Sequence, residues 1–167
     1  MCKKPFKYSA SEDVSVLVEP HIAVFLVMTP EGPKVPVVER SKNGETFFDL
    51  PGGKRDDLDE CGYHASGRET FEEVNGTVVV LRSLGKAPHP FKRACFRHFY
   101  AAADVMSGPI YNKVPLEHDD VHLMDPEEAI EKLGDRIPQL ARNFIRFEAM
   151  RLSRTVPVQH LPFPVCA

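Results

Sequence analysis

Residues 48–76, FDLPGGKRDDLDECGYHASGRETFEEVNG, decide the reading of this chain. They predict a strand end, a glycine turn at Gly52-Gly53, a short acidic loop, and a helix whose last turns carry Arg68, Glu69, Glu72 and Glu73. At about 100° per residue, Glu69, Glu72 and Glu73 stand at i, i+3 and i+4, so their carboxylates project from one helix face. Three neighbouring like charges repel unless a positive charge compensates for them. The spacing suits oxygen ligands for a hard divalent cation, and Arg68 neutralises part of the same cluster. Glycines without a Cβ let backbone carbonyls and N–H groups approach a metal or phosphate closely. Together these features point to metal-assisted phosphate chemistry.

The run resembles the Nudix box of the Nudix (MutT-like) hydrolase family, with Gly53 as its first glycine, Glu60 as the spaced glutamate, and Arg68-Glu69, Glu72-Glu73 as its charged core. Leu50-Pro51-Gly52-Gly53-Lys54 is similar to the usual lead-in. Three departures stand out. Six residues separate Gly53 from Glu60 where the family has five, Thr70 fills an apolar slot, and Asn75 replaces the terminal glycine. Asparagine is the non-glycine residue that best tolerates the left-handed conformation at a helix end.

The resemblance implies an α/β fold, the Nudix-type α/β/α sandwich with a mixed β-sheet. It implies divalent-metal-dependent hydrolysis of a pyrophosphate bond in a nucleoside diphosphate linked to another moiety: a nucleotide sugar, a dinucleotide or a modified nucleoside triphosphate. Glu69, Glu72, Glu73 and the Gly53 carbonyl are then the expected ligands of Mg²⁺, with Mn²⁺ able to substitute. Arg68 and Glu60 would orient the carboxylates, and Gly52 would shape the turn. The general base is expected to be Glu69 or Glu72, or a carboxylate on a later loop: Glu117, Asp119 or Asp120. The alternative is a noncatalytic Nudix-fold module that binds RNA or a protein partner, because fold does not fix function.

The 167 residues suit one domain, with 43% hydrophobic and 27% charged residues. The expected organisation is a flexible segment over 1–12, a single domain over 13–155 and a tail over 156–167. A net charge of -3 argues against a general polyanion binder, so phosphate recognition must be local. Nucleic acid enters only as a capped or modified RNA substrate. No apolar run approaches the roughly 18 to 20 residues that span a bilayer. Cys2, Cys61, Cys95 and Cys166 show neither a disulfide framework nor a zinc spacing. With no signal-like start, they suggest a reducing, cytoplasmic setting.

Between Asn75 and Ala103 there is no acid, while Arg82, Lys86, Lys92, Arg93 and Arg97 are present. A basic segment facing an acidic metal site suits a polyanionic substrate, so Arg93 and Arg97 are candidate phosphate contacts and Phe91 a candidate base-stacking surface. His118 and His122 are too far apart along a strand to share a metal ion.

For the remaining elements, His21–Met28 predicts one strand buried on both faces, after a short strand at Val14–Val18. Further strands are expected over Val35–Glu39, Thr46–Leu50, Thr77–Leu81, Ala94–Val105 and Val121–Met124, with a loop at Gly85–Pro90. Asp125-Pro126-Glu127-Glu128 predicts a capped helix start with its stop at Gly134. A last helix over Pro138–Arg154 would bury Leu140, Phe144, Phe147 and Met150.

Overall fold

Alternating side-chain burial along the apolar run after Pro20 splits the molecule into two cores. In this computed structural model, which describes residues 19–42, 44–91, 95–106 and 109–154, the run forms two strands. β1 (Pro20–Val24) and β2 (Val27–Thr29) flank a break at Phe25-Leu26 and enter different sheets. The expected single strand is therefore corrected, although both of its faces are buried. Ile22, Val24 and Leu26 point into one core, and Ala23 and Phe25 into the other. The expected terminal segments, and the strand at Val14–Val18, lie outside the described residues.

β3 (Gly32–Lys42) returns antiparallel to β2 and continues into a hairpin with β4 (Glu45–Asp49). β5 is Gly52–Lys54, α1 Gly62–Val74, β6 Thr77–Pro88 and β7 Phe96–Met106. β8 (Asp120–Met124), α2 (Pro126–Leu133), a 3-10 turn (Gly134–Arg136) and α3 (Gln139–Arg154) complete the order. The first sheet runs β5-β1-β7-β6 and is mixed, with β1 and β7 parallel. In the second sheet β2, β4 and β8 all pair antiparallel with β3.

β6 extends through the segment expected to be a loop, up to Pro88. It is an edge strand paired only with β7, so proline's missing N–H costs no ladder bond on the open side. Register shifts at Val80/Arg82 and Ser83/Gly85 absorb the irregularity.

α1 covers one face of the first sheet, where Ala23, Phe25, Val38, Val74 and Ala102 pack together. The larger core joins Ile22, Val24, Leu84 and Phe99 to Ile130 and Leu133 of α2 and to Ala141, Phe144 and Ile145 of α3. Helices on both sides of the sheets give the expected α/β/α arrangement.

Two helical expectations need correction. Asp125 does precede α2, but its side chain makes no cap bond and instead accepts a hydrogen bond from Lys34 Nζ at 2.8 Å. In α3 the buried stripe is Ala141, Phe144 and Ile145, which lets small Ala141 bring the helix close to the sheet, while Leu140, Phe147 and Met150 are exposed. The cysteine reading also changes. Cys95 is buried and Cys61 is disulfide-bonded, which the scattered spacing of the cysteines does not announce.

The α3 correction is testable by urea denaturation. Ile145→Ala, at a site with no solvent exposure, should cost about 2–5 kcal/mol, whereas Phe147→Ala should change stability by less than about 1 kcal/mol.

Candidate active site

The turn between β4 and β5 sets the geometry of the site. Gly52 has φ 151°, and a Cβ there would stand 2.4 Å from the His21 carbonyl oxygen. At Gly53 a Cβ would stand 2.4 Å from the carboxyl carbon of Glu69. Position 52 therefore requires glycine, for backbone against strand β1, whereas a side chain at Gly53 would have to push the Glu69 carboxylate aside. Gly62 starts α1 for a similar reason, since a Cβ would meet the His21 ring at 2.3 Å. At the other end Asn75 adopts φ 61° as the left-handed cap, as its side chain predicts, and its N–H donates to the Phe71 carbonyl. Thr70 fills its apolar slot fully buried, with its hydroxyl donating to the Ser66 carbonyl.

The three box glutamates share a helix face but not an environment. Glu69 is half-buried against the turn. Burial raises its carboxyl above the ordinary range, Arg68 opposes the rise, and Glu73 and Glu72 add to it. Glu72 is exposed and accepts from Arg68 Nη1 at 2.7 Å. Glu73 is buried, with Oε2 accepting from the Gly52 N–H at 2.8 Å and Oε1 from Arg40 Nη2 at 2.8 Å. Among the described residues, no three His, Cys, Asp or Glu side chains converge to hold a metal ion as they stand. Arg68 draws Glu72 outward, while Arg40 and Gly52 draw Glu73 inward.

Arg68 also corrects the motif register. Its guanidinium meets both carboxylate oxygens of Asp59, with Nη2 to Oδ2 at 2.8 Å, and donates to the Lys54 carbonyl at 2.9 Å. Asp59 is buried and Glu60 is exposed, so Asp59 occupies the place expected for Glu60. Five residues, 54–58, separate Gly53 from Asp59, so the family spacing was present and the extra residue lies on the helix side. Burial pushes the Asp59 carboxyl upward, but hydrogen bonds from Arg68 and the Asp56 N–H outweigh it and hold the group below its usual value.

The loop before β8 closes over the end of α1. Its Tyr111 and Lys113 N–H groups donate to the Val74 and Glu73 carbonyls, satisfying orphan acceptors of the last turn. This loop brings His118, not Glu117, to the box. His118 is 1% exposed, and its Nε2 stands 3.0 Å from Glu73 Oε1 without hydrogen-bond alignment. Glu117, Asp119 and Asp120 are exposed. His122 pairs with Glu39, so the two histidines share no site.

A cleft of about 290 Å³ opens from the glycine turn. Arg40, Lys42, Lys54, Gly52 and Gly53 line it, as do Phe47 and Phe91, whose rings meet edge-on at 4.9 Å. Phe91 is capped on one side, with Lys42 Nζ 4.9 Å above its ring. Arg97 reaches the cleft only as part of its wall. It is 2% exposed, bonds both Asp49 oxygens at 2.6 Å, and donates to the Arg136 carbonyl. Stranding a buried cation of this kind costs about 3–5 kcal/mol, so Arg97 is fixed in the scaffold and is not free for substrate. Arg93 lies outside the described residues. Arg40, Lys42, Lys54 and Phe47 were not anticipated, because strand alternation shows which residues share a face but not that the face borders the box.

No family model and no curated protein matches the chain. Solved structures do. An Ap4A hydrolase binary complex from C. elegans is 18% identical, with TM-score 0.62 over 79% of this chain and 99% of that one. A Nudix hydrolase described as putative from Listeria monocytogenes is 19% identical, with TM-score 0.58 over 81% and 94%. The Nudix domain of Shewanella oneidensis NrtR, complexed with ADP ribose, is 16% identical, with TM-score 0.55 over 84% and 90%. At these identities the likeness establishes the fold: the chain has the Nudix fold.

The register correction predicts that Asp59→Asn, which loosens Arg68, lowers the urea-unfolding midpoint, while Glu60→Gln has little effect. Asp59 has a depressed folded pKa, so its stabilisation is complete above the unfolded carboxylate range and is lost as pH falls through the folded value. Acid unfolding followed by circular dichroism should show a weaker pH dependence in Asp59→Asn than in the parent.

Proposed function

We propose that this protein is a Nudix hydrolase that cleaves a pyrophosphate bond in a nucleoside diphosphate linked to another moiety, with Mg²⁺ as cofactor and Mn²⁺ as substitute. The observation that carries the reading is Glu69, half-buried and charge-crowded against the bare backbone of Gly53, at the mouth of a cleft lined by Arg40, Lys42 and Lys54. A carboxylate whose ionised form is disfavoured by burial and by neighbouring carboxylates is stabilised by a hard cation. The residues present therefore fit the group: Glu69 and the Gly53 carbonyl would hold it, and Glu73 can join them only by leaving Arg40. When bound, the cation neutralises diphosphate charge and acidifies water.

The chain's own residues do the rest. Lys42, Lys54 and Arg40 attract and orient the phosphates, and Phe47 with Phe91 offers faces on which a base can stack. Glu72, the exposed box carboxylate, takes the proton from the attacking water. Arg68, tethered by Asp59 and the Lys54 carbonyl, fixes the position of Glu72 from its own helix turn. The basic cleft and paired aromatics favour a nucleotide over a simple polyphosphate. Within that class, nucleotide sugars, dinucleotides and modified nucleoside triphosphates all carry the required linkage. In this reading RNA enters only through a cap or modified end.

The noncatalytic module keeps one supporting observation, the commitment of Glu73 to protein donors. A nucleotide panel with Mg²⁺ separates the two. The hydrolase reading predicts release of nucleoside monophosphate, with loss of about 10²-fold or more in Glu69→Gln and in Glu72→Gln. No turnover on any member of the panel, or equal turnover in parent and variants, would favour the binding module.

A further inference from the structure

Glu73 is an expected cation ligand of the box, yet both of its oxygens are already occupied. Oε2 is held by the Gly52 N–H and Oε1 by Arg40, and His118 Nε2 crowds Oε1 from a third side. The backbone bond is fixed by the glycine turn and the imidazole is sealed in the protein. Arg40 is different. It sits on β3, its side chain is 25% exposed, it lines the cleft, and its buried Nε has no hydrogen-bond partner. An incompletely satisfied guanidinium beside open solvent gains by moving to a dianionic ligand, because bidentate pairing with phosphate satisfies donors that a single carboxylate oxygen cannot.

We infer that Arg40 is a positioning residue that latches Glu73: in the free protein it occupies the oxygen a cation would need, and an incoming diphosphate draws it away and releases the carboxylate. The inference rests on the metal-dependent reading above and adds to it an order of events. The diphosphate enters first against Arg40, Glu73 is freed second, and full cation binding comes last. The device disfavours tight cation binding without substrate. It also couples two ligands that touch different atoms, with a coupling set by how much better Arg40 binds phosphate than Glu73.

Mn²⁺ binding to the full chain, followed by electron paramagnetic resonance, tests this. Without anion, Arg40→Met should bind Mn²⁺ about tenfold more tightly than the parent. Lys42→Met, which removes a cleft cation that does not touch Glu73, should change affinity by less than about twofold. With saturating methylenediphosphonate, parent and Arg40→Met affinities should converge. Lost structure does not raise affinity, so the gain cannot arise from damage, and Arg40→Gln provides the same readout should the methionine variant fail to fold. Arg40→Met binding no better than the parent, or a gain as large in Lys42→Met, would overturn the latch while leaving the hydrolase reading intact. Absence of Mn²⁺ binding in every protein, with and without the diphosphonate, would overturn both.

Discussion

Everything in this site depends on the contact between the Gly52-Gly53 backbone and the acidic face of α1. The two are close enough that one added carbon at Gly53 would overlap the Glu69 carboxyl group. The contact fixes how far α1 stands from β5, and it places a main-chain carbonyl and a carboxylate side by side. It also removes water from Glu69, which turns an ordinary acidic helix face into one that needs positive charge.

The protein meets that need from two sides, each with a different consequence. Arg68 gathers buried Asp59, Glu69, exposed Glu72 and the Lys54 carbonyl on the outer side and holds their geometry. Arg40 and the Gly52 N–H neutralise Glu73 on the inner side. Glu69 lies between these two clusters, with Oε1 3.0 Å from Arg68 Nη2, and burial leaves it in want of further positive charge. The division of one helix face into an outer, a middle and an inner carboxylate follows from helical spacing combined with the depth of each position beneath the loop before β8.

The glycine turn, the helix and its left-handed cap at Asn75 were legible in the sequence, because each has a local physical cause: absent Cβ atoms, 3.6-residue periodicity and asparagine's tolerance of positive φ. The α/β/α layering followed from resemblance and element order. What escaped depended on contacts distant in sequence. Asp59 rather than Glu60 meets Arg68 because burial selects between adjacent acids. His118 rather than Glu117 faces the box because the loop is anchored by Tyr111 and Lys113 on the helix end. Arg97 looked like a phosphate ligand until Asp49, 48 residues away, proved to hold it. The α3 stripe shifted because packing favoured Ala141 and Ile145 over the bulkier Leu140 and Phe147.

The most direct test of the account is Mn²⁺ affinity measured alongside turnover in a Gly53→Ala variant whose fold is verified by circular dichroism. If Glu69 and the bare backbone together form the cation site, the methyl group should displace the carboxylate and lower both quantities together by about 10²-fold. A folded Gly53→Ala protein with parental Mn²⁺ affinity and parental turnover would contradict it.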